Sequence, residues 1–199
     1  MTPLADAIHD GGFRSPVYDA QSVFRRIMDA FAQPGTGVCL DGMAYGPGLP
    51  PAMAALLATL CDHETPVFFH ADIQADAAAW LAFHTGAPLA STAAMASFAC
   101  FPCGLTFSFG DFAIGTADYP DRSSTVLLAV EAFDEGATLD LAGPGIETSR
   151  RVRIAGLPPG FVAAMAANRS LFPLGFDLIL VCGSQAMALP RTTRIREVA

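Results

Sequence analysis

Phe176-Asp177-Leu178-Ile179-Leu180-Val181-Cys182 is the most apolar run of the chain. Its aliphatic residues follow one another without polar alternation. That predicts a central strand buried on both faces, in a sheet covered on both sides. Residues 186–189 predict a strand pairing back on it. Upstream, residues 158–167 predict a helix, 151–154 alternate like an exposed strand, and Gly143-Pro144-Gly145 marks a tight loop. Residues 125–131 and 137–141 predict strands separated by a turn at Asp134-Glu135-Gly136. Residues 96–101 and 105–109 predict a hairpin around Pro102-Cys103-Gly104. Nearer the N-terminus come strands at 36–40 and 67–69, a Gly/Pro loop at 41–49, and helices at 50–61 and 75–85, the last stopped by Gly86. No repeat or linker divides the chain. The expected fold class is α/β: a single domain over residues 1–199, with a mixed central sheet and helices on both faces.

Residues 15–35 predict one amphipathic helix with both ends marked. Ser15 suits the N-cap, Pro16 the first helical position, and Pro34-Gly35 the stop. At 100° per residue, Val17, Ala20, Phe24, Ile27, Met28 and Phe31 share one arc, read as a core-facing stripe. Gln21 and Arg25 lie one turn apart at its border, as polar groups in want of partners.

Charged residues make up only 15% of the 199, and hydrophobic residues 52%. So little charge leaves apolar surface exposed unless another chain covers it, as in obligate interfaces. All eleven basic residues are arginine. Without lysine, an internal pyridoxal-phosphate Schiff base and a Walker A loop are excluded. A net charge of −8 argues against nucleic acid. A few clustered arginines would still suit a small anion. Asp6 and Asp10, with no basic segment before an apolar run, do not predict a signal peptide. Residues 42–61 and 85–110 are uncharged for long stretches but broken by Pro and Gly, so no membrane span is expected. Five cysteines suit a reducing cytosol better than a disulfide scaffold.

Candidate chemistry is sparse. Cys100-Phe101-Pro102-Cys103 is a C-x-x-C, but residues 105–109 read as strand, not the helix whose N-terminus activates a thiol. Asp62, His63, Glu64, His70 and His84 are metal-ligand types without ligand spacing, and His84 sits near a helix C-terminus. Gly143-Pro144-Gly145-Ile146 comes after a strand as phosphate loops do, although Pro144 offers no N–H. Gly183-Ser184-Gln185 is no nucleophile elbow. Arg150, Arg151 and Arg153 flank one strand, which suggests a solvated face. Arg191, Thr192 and Thr193, with Arg194 and Arg196, either hold a phosphate or phosphonate or form salt bridges across an interface. The candidate anion-binding set is therefore Gln21, Arg25, Gly143, Gly145, Arg191 and Thr192, with no catalytic residue and no metal site.

Residues 13–35 with their Gln-x-x-Phe-Arg core, 57–62 with Thr65, 83–88, Gly115-Thr116 with Tyr119-Pro120, 143–146, 175–180 and 189–193 resemble, in order, the H-subunit family (PhnH) of the bacterial carbon–phosphorus lyase system. No one stretch is diagnostic; the ordered set is. The resemblance implies a role in phosphonate catabolism beside G, I and J subunits. Their core complex, with an ATP-binding-cassette-like subunit, exchanges the adenine of MgATP for an alkylphosphonate to give a ribose 1-alkylphosphonate 5-triphosphate. It implies a fold similar to that of pyridoxal-phosphate-dependent transferases without the cofactor lysine, a homodimer when isolated, and a cytoplasmic location. It also implies no pyridoxal phosphate and no iron–sulfur cluster in this subunit, and no partnership with nucleic acid or membrane.

Overall fold

A computed structural model describes residues 11–42, 46, 48–104 and 110–198. Its strands are β1 (Gly37–Cys39), β2 (Val67–Phe69), β3 (Phe98–Phe101), β4 (Thr125–Ala129), β5 (Ala132–Ala142), β6 (Arg150–Ala155), β7 (Asp177–Cys182), β8 (Gln185–Leu189) and β9 (Arg194–Glu197). Its α-helices are α1 (Pro16–Ala32), α2 (Pro51–Leu60), α3 (Ala71–Thr85) and α4 (Phe161–Ser170). A mixed sheet of six strands runs β1-β8-β7-β4-β3-β2, and a three-stranded antiparallel sheet runs β6-β5-β9.

The apolar run is β7, between β4 and β8. Across the parallel strands, Phe69, Cys100, Leu127 and Ile179 stand in register. This row faces the first core, beneath α1, α2 and α3. The adjoining row of Ala99, Val126 and Leu178 faces the second, with Phe161 and Met165 of α4 and Leu139, Leu141, Val152, Ile154 and Ile195 of the small sheet. Period-2 alternation explains why β7 reads as continuously apolar: Ile179 and Val181 face one core, Leu178 and Leu180 the other. Helices do lie on both faces, but on the second the small sheet shares the cover with α4.

Three expectations are corrected. Both edges of β3 are taken by β2 and β4, so β3 has no free edge for a hairpin arm; residues 105–109 lie outside the described set. Asp134-Glu135-Gly136 does not separate a pair of strands. Phe133 and Ala137 both stand opposite Ile154, so the three residues bulge out of a continuous β5. The turn chemistry is real, with φ 69° at Asp134 and 74° at Gly136, but it kinks the strand instead of ending it. The third correction concerns α1. Its buried residues are Val23, Ile27 and Ala30, while Val17, Phe24 and Met28 are exposed.

Pro16 opens α1 as its sequence suggests, but Ser15 makes no side-chain capping bond; its N–H instead donates to Asp19 Oδ2 at 2.8 Å. No basic residue stands in its last turn. Arg150 of β6 takes that place, donating to the carbonyls of Gln33 (3.0 Å) and Pro34 (2.8 Å) and to the Thr36 hydroxyl. Arg26, on the inner flank of α1, donates to the Cys39 carbonyl of β1 and pairs with Asp41 at 3.3 Å. At the sheet's other end, the segment after α3 runs along β2, where the Val67 N–H reaches Pro88 O (2.9 Å) and the Ala90 N–H reaches Val67 O (2.9 Å).

Candidate functional site

The residues grouped by sequence as an anion site divide into three places. Arg191 lies just beyond β8, and the β7–β8 hairpin brings it to Asp177 at the start of β7. Its Nε donates to Asp177 Oδ1 (3.2 Å) and its Nη2 to Asp177 Oδ2 (2.6 Å) and Ser123 Oγ (2.5 Å). Its Nη1 donates to the carbonyls of Pro120 (3.1 Å) and Pro173 (3.3 Å). A guanidinium has five N–H donors, and all five here point at protein acceptors. With the side chain only 12% exposed, this arginine is a clasp joining the hairpin to the loop before β4, with no donor left for an anion.

Gly143, Gly145 and Thr192 form a second group, at the C-terminal end of α1. A Cβ on Gly145 would collide with the Ala32 carbonyl oxygen, and Gly145 has φ +80°. A Cβ on Gly143 would lie 3.1 Å from the Thr192 oxygen, which also accepts from Arg169 Nε at 3.3 Å. These glycines admit backbone against backbone, which is the packing use of a Gly-rich loop, not the phosphate-cradling one. Thr193 is 2% exposed, so its hydroxyl faces the interior.

Gln21 and Arg25 stand apart from both groups. They are exposed on α1, and neither side chain has a hydrogen bond or ion pair among the described residues. Arg25 is seven residues before Ala32, about 10 Å along the axis.

The remaining candidates have structural tasks. His84 lies between Trp80 (ring centroids 4.9 Å apart) and Phe83 (5.0 Å), with Gly12 packed closely on its ring. His70 caps α3, accepting from the Asp72 N–H at 3.4 Å. Asp62 and Thr65 form a turn through the Asp62 N–H to Thr65 Oγ1 bond (2.6 Å), and His63 and Glu64 are solvated. Among the described residues no three His, Cys, Asp or Glu side chains gather where a metal could bind. Burial pushes the Cys100 thiol well above its ordinary range, and burial then the Glu131 carboxylate push Cys103 up. Both shifts oppose the thiolate that redox chemistry requires.

What remains is the outer face of α1. Val17 is 78% exposed, Tyr18 75%, Phe24 48% and Met28 53%. Val17, Phe24 and Met28 fall within about 40° of arc, along some 16 Å of helix. The buried arc of Val23, Ile27 and Ala30 is centred about 110° away. The predicted stripe therefore straddles core and surface: Ile27 is buried, Ala20 and Phe31 are half-buried, and the other three face outward. Sequence missed Tyr18 and this outward role. The available signal was Val23-Ile27-Ala30, a second apolar arc sufficient to seat the helix.

Comparison with known proteins places this surface in context. The family model described as bacterial phosphonate metabolism protein (PhnH) matches residues 11–196. The chain belongs to the PhnH family. Within that family it is 44% identical over 191 residues to the alpha-D-ribose 1-methylphosphonate 5-triphosphate synthase subunit PhnH of Rhizobium meliloti (strain 1021), covering 94% of this chain and 96% of the relative. It is 32% identical over 177 residues to a putative C-P lyase subunit protein, HtxG, of Stutzerimonas stutzeri, covering 88% of this chain and 85% of that one. Both relatives carry the word subunit in their descriptions.

Proposed function

We propose that the chain is a non-catalytic structural and interaction subunit of a carbon–phosphorus lyase core complex. It supports formation of a ribose 1-alkylphosphonate 5-triphosphate from MgATP and an alkylphosphonate, alongside G, I and J subunits, in the cytoplasm. Its fold is a relative of the pyridoxal-phosphate transferases, kept without lysine or cofactor. The observation that carries the reading is the apolar outer face of α1, in a chain with 15% charged residues. The polar groups support it. Arg191, Arg150 and the Gly143–Gly145 loop are spent on the protein's own backbone and carboxylates. The purified chain should run as a dimer by light scattering and be recovered in complex with co-expressed G, I and J subunits. A stable monomer that passes those subunits by would overturn the proposal.

A second reading, direct binding of a nucleotide or phosphonate, rests on the exposure of Arg25 beside Gln21. Calorimetry with ATP or an alkylphosphonate tests it. Saturable heat abolished by Arg25→Ala would establish it, and no heat at millimolar ligand would dispose of it.

A further inference from the structure

Along α1, the outward residues Val17, Gln21, Phe24 and Met28 are spaced by four, three and four. This is the a/d spacing of a heptad seam, the pattern by which one helix receives another. The core-facing face of α1 is separate from it, in Val23, Ile27 and Ala30. One border of the seam descends into the core through half-buried Ala20 and Phe31. The other carries Tyr18 and Arg25, with exposed Arg14 just before the helix. Asp29 lies one turn beyond Arg25 but forms no ion pair with it. The seam is thus apolar, with a single polar residue in it and an uncompensated cation at its open border.

We infer that this seam is the seat of an amphipathic helix from another subunit, whose apolar stripe is flanked by aspartate or glutamate that meets Arg25. The inference rests on the subunit reading above and names the occupant of that surface. Charge complementarity chooses the occupant. A second copy fits worse: antiparallel two-fold packing about Phe24 would set the two Arg25 side chains against each other near the axis, and each copy carries a net charge of −8. Lateral extension of the sheet fits no better at this end, because Arg26 already occupies the outer carbonyl of β1.

The test is co-expression of tagged chain with G, I and J subunits, followed by pull-down and light scattering. Phe24→Glu and Met28→Glu are the disrupting variants, Phe24→Ser a milder one, and Phe172→Glu the control at a distant residue that is 62% exposed. Phe24→Glu and Met28→Glu should lower recovery of the complex at least tenfold, while Phe172→Glu leaves it at the wild-type level and all variants keep the wild-type mass in isolation. Arg25→Glu should weaken assembly about tenfold and remove most of its salt dependence. Wild-type assembly by the Phe24 and Met28 variants would overturn the seam and leave the subunit reading standing. Failure of the wild-type chain to assemble would overturn the subunit reading itself. A change from dimer to monomer in Phe24→Glu would make the occupant a second copy, and an unaltered Arg25→Glu would overturn the acidic flank.

Discussion

Helices α1 and α2 lie side by side on the same face of the main sheet, yet they are used in opposite ways. From Ala52 to Leu57 every residue of α2 is buried, at most 1% exposed. That helix is apolar all round and sits between α1, α3 and the sheet, where no side needs to face water. α1 buries only Val23, Ile27 and Ala30 at full depth and leaves four large apolar side chains outside. Both helices read as core elements by hydrophobicity. What separates them is position: α2 is enclosed, whereas the second apolar arc of α1 stays largely exposed, with Val17 78%, Phe24 48% and Met28 53% accessible. Apolar content locates a helix within a core only when neighbours are available on every side.

Substitutions in the two helices should expose that contrast. Leu57→Ala, in the enclosed helix, is expected to cost about 3–4 kcal/mol of stability, read from urea unfolding; a loss below about 1 would mean the site collapses around the missing atoms. Next comes the arginine pair. Arg191→Ala strands the partly buried Asp177 and should cost about 2–3 kcal/mol, whereas Arg25→Ala on the open face should change stability by no more than about 0.5. Equal losses would break the distinction between a clasp and a surface cation.

Alkaline titration gives a graded effect. Burial pushes Cys61, at the C-terminal end of α2, up to about 12, and pushes Cys100 up as well. The unfolded chain releases these thiol protons near pH 9, ahead of the folded one, so stability is whole at pH 7 and declines as pH rises from about 9 towards 12. Cys61→Ala should flatten that decline, and an unchanged slope of Tm against pH would count against the burial. The smallest effect belongs to the outer arc. Phe24→Ser and Met28→Ser should each alter stability by less than about 1 kcal/mol while weakening assembly with the partner subunits, though less than the glutamate variants do.

Much of the frame was legible. β7 announced itself because it is buried on both faces and so lacks polar interruption. α1 was bounded correctly because Pro16 and Pro34-Gly35 act locally, within a turn of the chain, although the Ser15 side chain does not cap it. Which arc of α1 faces the core was not legible, because two apolar arcs overlap at Ala20 and Phe31 and only tertiary neighbours choose between them. The turn at Asp134-Glu135-Gly136 was recognised by its residues but not as a bulge, since β6 supplies the opposite strand from 18 or more residues away in sequence. The scatter of the candidate anion residues has a related reason. Arg191 stands 14 residues from Asp177, and the two meet only because residues 178 and 189 pair across the hairpin.

The two margins of the main sheet bear on what such a charge-poor protein offers to other chains. At one margin Arg26 holds the outermost carbonyl of β1, and at the other the Pro88–Ala90 segment holds the backbone of β2. Each marginal strand is only three residues long. A bare margin would be a template on which further chains could add without limit, ending in fibres. Such short margins, each partly occupied, leave little template on which a further chain could add.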